Sequence, residues 1–243
     1  MKKKVGTVVR AQAKINLYLD VTARSENGYH KIESVMQSVS LCDRVTVSAA
    51  RGGDEIRVSC NLPYVPCDGR NIAYKAARAF LDECGINAGV RITIDKRIPV
   101  AGGMAGGSTD AAAVLSALNR VLGSPLGRER LYALAESLGA DVPFCLSGGT
   151  ALCRALESGD ASAAAANLYN IFEDVILPQR KQASEAKQML TACGALRAMM
   201  SGSGPTVFGL FESVAARDEA AHILTKRGFR AKKAEISHRK VQK

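Results

Sequence analysis

Tryptophan is absent from the 243 residues, and aromatic residues of all kinds make up only 5%. So few ring systems leave little from which to build the stacking platforms that hold single-stranded nucleic acid, and no nucleic-acid partner is expected. Histidine occurs three times, as His30, His222 and His238, on unrelated segments, which argues against a histidine-based metal centre; no protein metal site is expected. The seven cysteines (Cys42, Cys60, Cys67, Cys84, Cys145, Cys153 and Cys193) include no C-x-x-C pair. An odd count does not close into a disulfide framework, so they read as reduced thiols. No apolar run is long enough to span a bilayer, and the basic opening MKKKVGTVVR lacks the apolar stretch of a signal peptide. The expected location is the cytoplasm, with no membrane partner.

What is present is the composition of a globular chain: 47% hydrophobic and 23% charged residues, enough to bury one large core or two modest ones. The formal net charge is +10, which favours anionic partners. Much of it sits at the ends, in Lys2 to Lys4 and in the run from Lys226 to Lys243, where charged side chains are ordinarily solvated.

Periodicity places strands in the first sixty residues. Val45, Val47 and Ala49 alternate with polar neighbours, as do Ile56, Val58 and Cys60, and Asn27-Gly28 marks a turn. Helical spacing over Asn71 to Gly85 predicts a helix ended by Gly85. A strand through Val90, Ile92 and Ile94 follows, and then a helix striped with Ala111, Val114, Leu115, Leu118 and Leu122, for which Ser108, Thr109 and Asp110 supply N-cap chemistry. Further helices are expected near Ala161–Ala166, Lys181–Cys193 and Val214–Arg227, with a strand through Val207 and Phe211. No repeat or low-complexity linker divides the chain, so a domain boundary is expected in a short connection, at Arg154 to Gly159.

Between the strand and the helix stands Pro99-Val100-Ala101-Gly102-Gly103-Met104-Ala105-Gly106-Gly107-Ser108-Thr109. Small residues there let backbone N–H groups approach a ligand closely, and the following helix N-terminus favours an anion, so phosphate is the natural occupant. The run does not fit G-x-G-x-x-G. It comes nearer to G-x-x-x-x-G-K-[ST] from Gly102 to Gly107, but Ser108 stands where that motif has lysine. The alternative reading is a tight structural turn.

Four stretches together resemble the GHMP kinase superfamily. They are Ala13-Lys14-Ile15-Asn16-Leu17 followed by Asn27-Gly28-Tyr29-His30; the loop Pro99 to Ala111; Gly139-Ala140-Asp141-Val142-Pro143-Phe144; and Ser201-Gly202-Ser203-Gly204-Pro205-Thr206-Val207-Phe208. The Gly-Tyr-His and Ala-Asp-Val-Pro-Phe elements resemble the members that use a cytidyl diphosphate alcohol as acceptor in isoprenoid precursor synthesis by the non-mevalonate route. The resemblance runs from about Val8 to Glu235 and departs at one place. Gly148 to Arg154 and Leu156 to Asp160 are joined directly, where the family continues through several dozen residues that help form the cytidine side of the pocket. An altered pocket and an omission from the sequence both account for this.

The resemblance implies an α+β fold in two lobes, residues 1–154 carrying the Gly-rich loop and residues 155–243 forming a more helical substrate lobe, with ATP and acceptor bound between them. It implies ATP with Mg²⁺ as phosphate donor. It makes Asp141 the base for the acceptor hydroxyl and Lys14 the cation beside it. Pro99 to Thr109, with Asn71, Ile72 and Lys96, would bind ATP, and Ser108 offers a hydroxyl to Mg²⁺ or phosphate. Asn16, Tyr29 and His30 would bind the acceptor. Taken singly, these residues have plainer readings: Asp141 as a helix cap, Lys14 as a solvated strand residue, Asn71 as a cap, Ile72 as core and Lys96 as an exposed strand-end charge. Other acceptor alcohols, a basic RNA-binding protein and a non-catalytic nucleotide-binding protein are the competing functions.

Overall fold

A computed structural model describes residues 5–24, 30–151 and 168–236. Strands β1 (Val5–Arg24) and β2 (His30–Arg51) pair antiparallel from Val5 opposite Ala49 to Arg24 opposite His30. The expected Asn27-Gly28 turn lies between those strand ends but outside the described residues. β3 (Ile56–Cys60) and β4 (Ala88–Asp95) run parallel to each other, joined by helix α1 (Ile72–Cys84). In the sheet β4 lies between β3 and β2, and β1 pairs on its far side with the short parallel strand β6 (Tyr169–Asn170); β5 (Thr150–Ala151) pairs with β2.

The expected alternation is observed: Val45, Val47, Ile92 and Ile94 are at most 1% exposed. They pack against α1 and α2 (Gly106–Val121) through Phe80, Leu115 and Leu118, all fully buried. Each such side chain contributes about 1.5–3 kcal/mol of transfer free energy. Helix α1 has the expected ends: the Asn71 side chain accepts the Ala73 N–H, and Gly85 closes the helix at φ 60°. Helices α3 (Arg128–Leu138) and α4 (Val142–Ser147) pack beside α2.

The start of α2 differs from the expectation. It begins at Gly106, with left-handed Ala105 (φ 55°) as its N-cap and no side-chain cap. Ser108, Thr109 and Asp110 are therefore inside the first turns, because the left-handed turn at Ala105 starts the helix before any hydroxyl or carboxyl residue is reached. The first N–H groups of α2 are left without a capping side chain.

The C-terminal part adds α5 (Phe172–Ile176), α6 (Lys181–Ala192), a separate antiparallel pair β7 (Arg197–Met200) and β8 (Val207–Leu210), and α7 (Val214–Lys226). The helices expected near 181 and 214 are present; the one expected near Ala161, and the boundary expected at Arg154 to Gly159, lie outside the described residues. A second apolar cluster joins this part to β1: Ala13, Ile15 and Leu17 meet Ile98, Met104 and Met199. Among the described residues no helix is long and apolar enough to cross a membrane.

Candidate active site

The β1–β2 register shifts between Gln12 and Lys14 and again between Asn16 and Tyr18. Such irregularities re-aim side chains. Ile15 and Leu17 enter the second apolar cluster while Lys14 and Asn16 form a buried polar pair, 5% and 3% exposed. Lys14 Nζ donates to Asn16 Oδ1 at 2.6 Å, Asn16 Nδ2 donates to Ser34 Oγ at 2.7 Å, and Ser34 Oγ donates to the Tyr18 carbonyl. Lys14 is thus not a solvated strand residue. A buried ammonium requires an anionic partner, and Asp141 Oδ2 stands 3.7 Å from Nζ.

Asp141 is the N-cap residue of α4 by position, yet its side chain makes no cap hydrogen bond. The carboxylate is partly exposed and faces Lys14. The helix-cap reading of Asp141 therefore fails, and a basic oxygen is left open to a ligand.

The Gly-rich loop reaches the same place, because the Lys14 N–H donates to the Met104 carbonyl at 3.2 Å. Along the loop φ is positive at Ala101, Gly103 and Ala105 and not at the residues between. Alternation of this kind turns successive N–H groups toward one concavity, an anion-binding nest. Two of the three positive-φ residues carry a Cβ, an uncommon conformation that clusters at functional sites. The nest leads directly into the uncapped N-terminus of α2, which adds to its affinity for negative charge.

The other residues expected at the nucleotide lie near this loop. A Cβ at Gly107 would come within 3.3 Å of Ile72 Cγ2, so the first turns of α1 and α2 abut, with Asn71 at the cap of α1. Asn71 is also a cap, as in the plainer reading. Ser108 is half-buried in the first turn of α2, whereas the Thr109 hydroxyl donates to the Gln12 carbonyl at 2.8 Å. Lys96 is not an exposed strand-end charge; it is 7% exposed and lies between Asp43 and Asp110. Burial opposes its charge, but the two carboxylates outweigh burial and raise the ammonium above the usual lysine range. Burial pushes the Asp110 carboxyl up to about 7 against the pull of Lys96, with the Asp43 charge adding to the rise. Tyr29 lies outside the described residues; His30 opens β2, and its side chain is outside what the structure describes.

Sequence reasoning missed Asn170 and Glu173 and gave Ser201, although it stands in a recognised motif, no role. Ser201, fully buried, donates from Oγ to the Gly103 carbonyl at 3.0 Å. Asn170 Nδ2 donates to the carbonyls of Met200 (2.8 Å) and Gly202 (2.9 Å), and Glu173 Oε1 accepts the Met200 N–H at 2.6 Å. The C-terminal glycine turn is thereby clamped against the Gly-rich loop. Asp43 and Asp110 were missed as partners of Lys96.

Comparison with known proteins agrees with this geometry. Residues 71–149 match the GHMP kinases N terminal domain, and residues 150–230 match the GHMP kinases C terminal domain. A protein of Clostridium botulinum (strain Eklund 17B / Type B), 4-diphosphocytidyl-2-C-methyl-D-erythritol kinase, is 38% identical over 257 positions, covering 85% of this chain and 91% of the relative. That alignment is longer than the 243-residue chain, so the relative carries residues without a counterpart here. The crystal structure of a 4-(cytidine 5'-diphospho)-2C-methyl-D-erythritol kinase superposes with a TM-score of 0.73 at 29% identity, covering 90% of this chain and 96% of the other. The L. major mevalonate kinase, at 15% identity and a TM-score of 0.67 over 97% of this chain and 98% of the other, shares the fold. The chain belongs to the GHMP kinases, within the family of the 4-diphosphocytidyl-2-C-methyl-D-erythritol kinases.

Proposed function

We propose that the chain transfers the γ-phosphoryl group of ATP to the 2-hydroxyl of 4-diphosphocytidyl-2-C-methyl-D-erythritol, a step toward isoprenoid precursors. The observation that carries this reading is Asp141, unused as a cap and 3.7 Å from the buried Lys14 ammonium, beside a loop whose φ alternates in sign. The relatives bearing that activity in their names support the choice of acceptor.

Asp141 accepts the proton of the acceptor hydroxyl as its oxygen bonds to the γ-phosphorus and the bond from that phosphorus to the β,γ-bridging oxygen breaks. Lys14, 3.7 Å from the Asp141 carboxylate, holds that side chain in place and balances charge on the transferring group. The nest and the N-terminus of α2 hold the donor phosphates, and positioning with electrostatics supplies most of the acceleration. Asn71 and Ile72 line the side of the loop where the rest of the nucleotide lies. Mg²⁺ enters with ATP as part of the substrate. The Ser108 hydroxyl, half-buried in the first turn of α2, would offer a ligand to it or to a phosphate. Asn16, Tyr29 and His30 are assigned to acceptor binding on the strength of their motifs. The two lobes divide at residues 1–154 and 155–243, near the border between the two family matches, and the enzyme works in the cytoplasm.

Coupled ADP release with 4-diphosphocytidyl-2-C-methyl-D-erythritol, compared with mevalonate and homoserine, tests the reading. Turnover only with the first is expected. Turnover with another alcohol instead would change the acceptor, and ATP binding without turnover on any of them would remove the kinase assignment.

A further inference from the structure

Two carboxylates share one ammonium beneath the Gly-rich loop. Asp43 is fully buried on the core-facing side of β2, Lys96 follows the end of β4, and Asp110 is 4% exposed in the second turn of α2. Lys96 Nζ donates to Asp43 Oδ2 at 2.5 Å and to Asp110 Oδ2 at 2.9 Å. The second oxygen of Asp43 accepts the backbone N–H groups of Arg97 (2.5 Å) and Ile98 (2.9 Å), the two residues that lead into Pro99. One aspartate on a central strand therefore fixes both the ammonium and the entry to the loop. The ammonium in turn fixes the helix at the exit of the loop.

Stability does not explain this arrangement. Buried charges lose much hydration, and apolar replacements of similar volume commonly do as well or better. Asp110 Oδ1, moreover, is buried with no hydrogen-bond partner among the described residues, a further cost to the fold. What the network does supply is a fixed span. A Cβ at Gly106 would come within 3.1 Å of both Lys96 Nζ and Ile98 Cγ2, so the first residue of α2 rests directly on the ammonium and on the strand exit. The Lys96 side chain is 4% exposed and its ammonium has two carboxylate acceptors, which leaves little of it to present to a nucleotide.

We propose that Asp43, Lys96 and Asp110 form a buried bracket that sets the span of the Gly-rich loop and so positions it for the ATP phosphates, Lys96 acting through the bracket rather than by touching the nucleotide. The inference rests on the kinase reading above and makes all three positioning residues.

The test is calorimetric titration of the whole chain with a non-hydrolysable ATP analogue, joined to steady-state kinetics and a thermal unfolding control. Asp110→Ala frees one arm of Lys96 while leaving Asp43 on Arg97 and Ile98. A misplaced loop is expected to raise the analogue Kd and the ATP KM by ~10- to 100-fold. The acceptor KM should stay within about twofold. Asp110→Asn, which keeps an acceptor for Lys96, should lie within about threefold of the parent. Asp110→Glu keeps the charge but lengthens the arm by one methylene, and is expected to lose ATP affinity as Asp110→Ala does. A parent that fails to bind the analogue would remove the kinase reading itself. A parent that binds, beside a folded Asp110→Ala that binds equally well, would overturn the bracket. So would Asp110→Asn behaving like Asp110→Ala, a loss confined to kcat, or a failure of both Asp110→Ala and Asp110→Glu to fold, which would make the network a folding element only.

Discussion

Gly103→Ala puts the contact between the Gly-rich loop and the C-terminal glycine turn to a quantitative test. Gly103 has φ 75°, and a Cβ there would lie 2.1 Å from the Ser201 carbonyl oxygen, 3.1 Å from its carbon and 3.2 Å from the Gly204 nitrogen. The left-handed conformation costs an alanine about 1–2 kcal/mol. The overlap is with backbone, which has no rotamer to change, and overpacking of this kind costs about 1–3 kcal/mol more. The expected destabilisation is therefore about 2–5 kcal/mol, with loss of the Ser201–Gly103 hydrogen bond as the loop moves away. Gly194→Ala is the matched control: φ is 82°, and nothing lies within 4 Å of the added methyl, so only the conformational cost of about 1–2 kcal/mol remains. Urea unfolding of the two variants, compared at a common m-value, isolates the overlap. Titration with an ATP analogue should show weakened binding for Gly103→Ala and parental binding for Gly194→Ala. If Gly103→Ala is no less stable than Gly194→Ala and binds like the parent, the two glycine segments do not meet as described, and the loop is not shaped by its C-terminal partner.

Asp141→Asn should lose ~10²- to 10⁴-fold in kcat with substrate constants little changed, because the amide keeps the shape but accepts no proton. Lys14→Ala should do similar damage, and the double variant should be little worse than either single one if the pair works as a unit; single-turnover phosphorylation across the cycle decides this, and multiplicative losses would make the two residues independent. Thiol chemistry gives a pH-signed expectation. Burial pushes the Cys145 thiol up to about 12, so its reactive thiolate appears only as pH climbs toward that value, whereas Cys67 is exposed. Brief alkylation at about pH 8 followed by mass mapping should label Cys67 and spare Cys145, and equal labelling would contradict the burial of α4 against α2.

How much of this was legible in the sequence depended on whether a residue's role followed from periodicity or from a distant partner. The ends of α1 were readable because Asn71 and Gly85 act within one turn of themselves. The helix near 214 starts at the local cap Ser213, whereas the one near 181 starts without a side-chain cap, and the start of α2 was misplaced because left-handed Ala105 (φ 55°) does what Ser108 was expected to do. Residue by residue, Lys14 and Asp141 looked like surface charges, and only their motifs pointed to chemistry. The burial of Lys14 and its approach to Asp141 depend on register shifts in β1 and on α4 returning to it across more than a hundred residues. The aspartates around Lys96 were closer to legible than they seemed. Asp43 shares the two-residue period of Val45, Val47 and Ala49, and Asp110 falls four residues before Val114 on the helix stripe, so both patterns put a carboxylate on a core-facing side. An acid on an apolar face demands a buried cation, and Lys96, at the end of a strand that neighbours β2 and one loop away from α2, was positioned to supply it. What periodicity does not give is that a single ammonium serves both carboxylates. That follows only once β2, β4 and α2 are packed together, and it ties the entry and exit of the loop to one nitrogen.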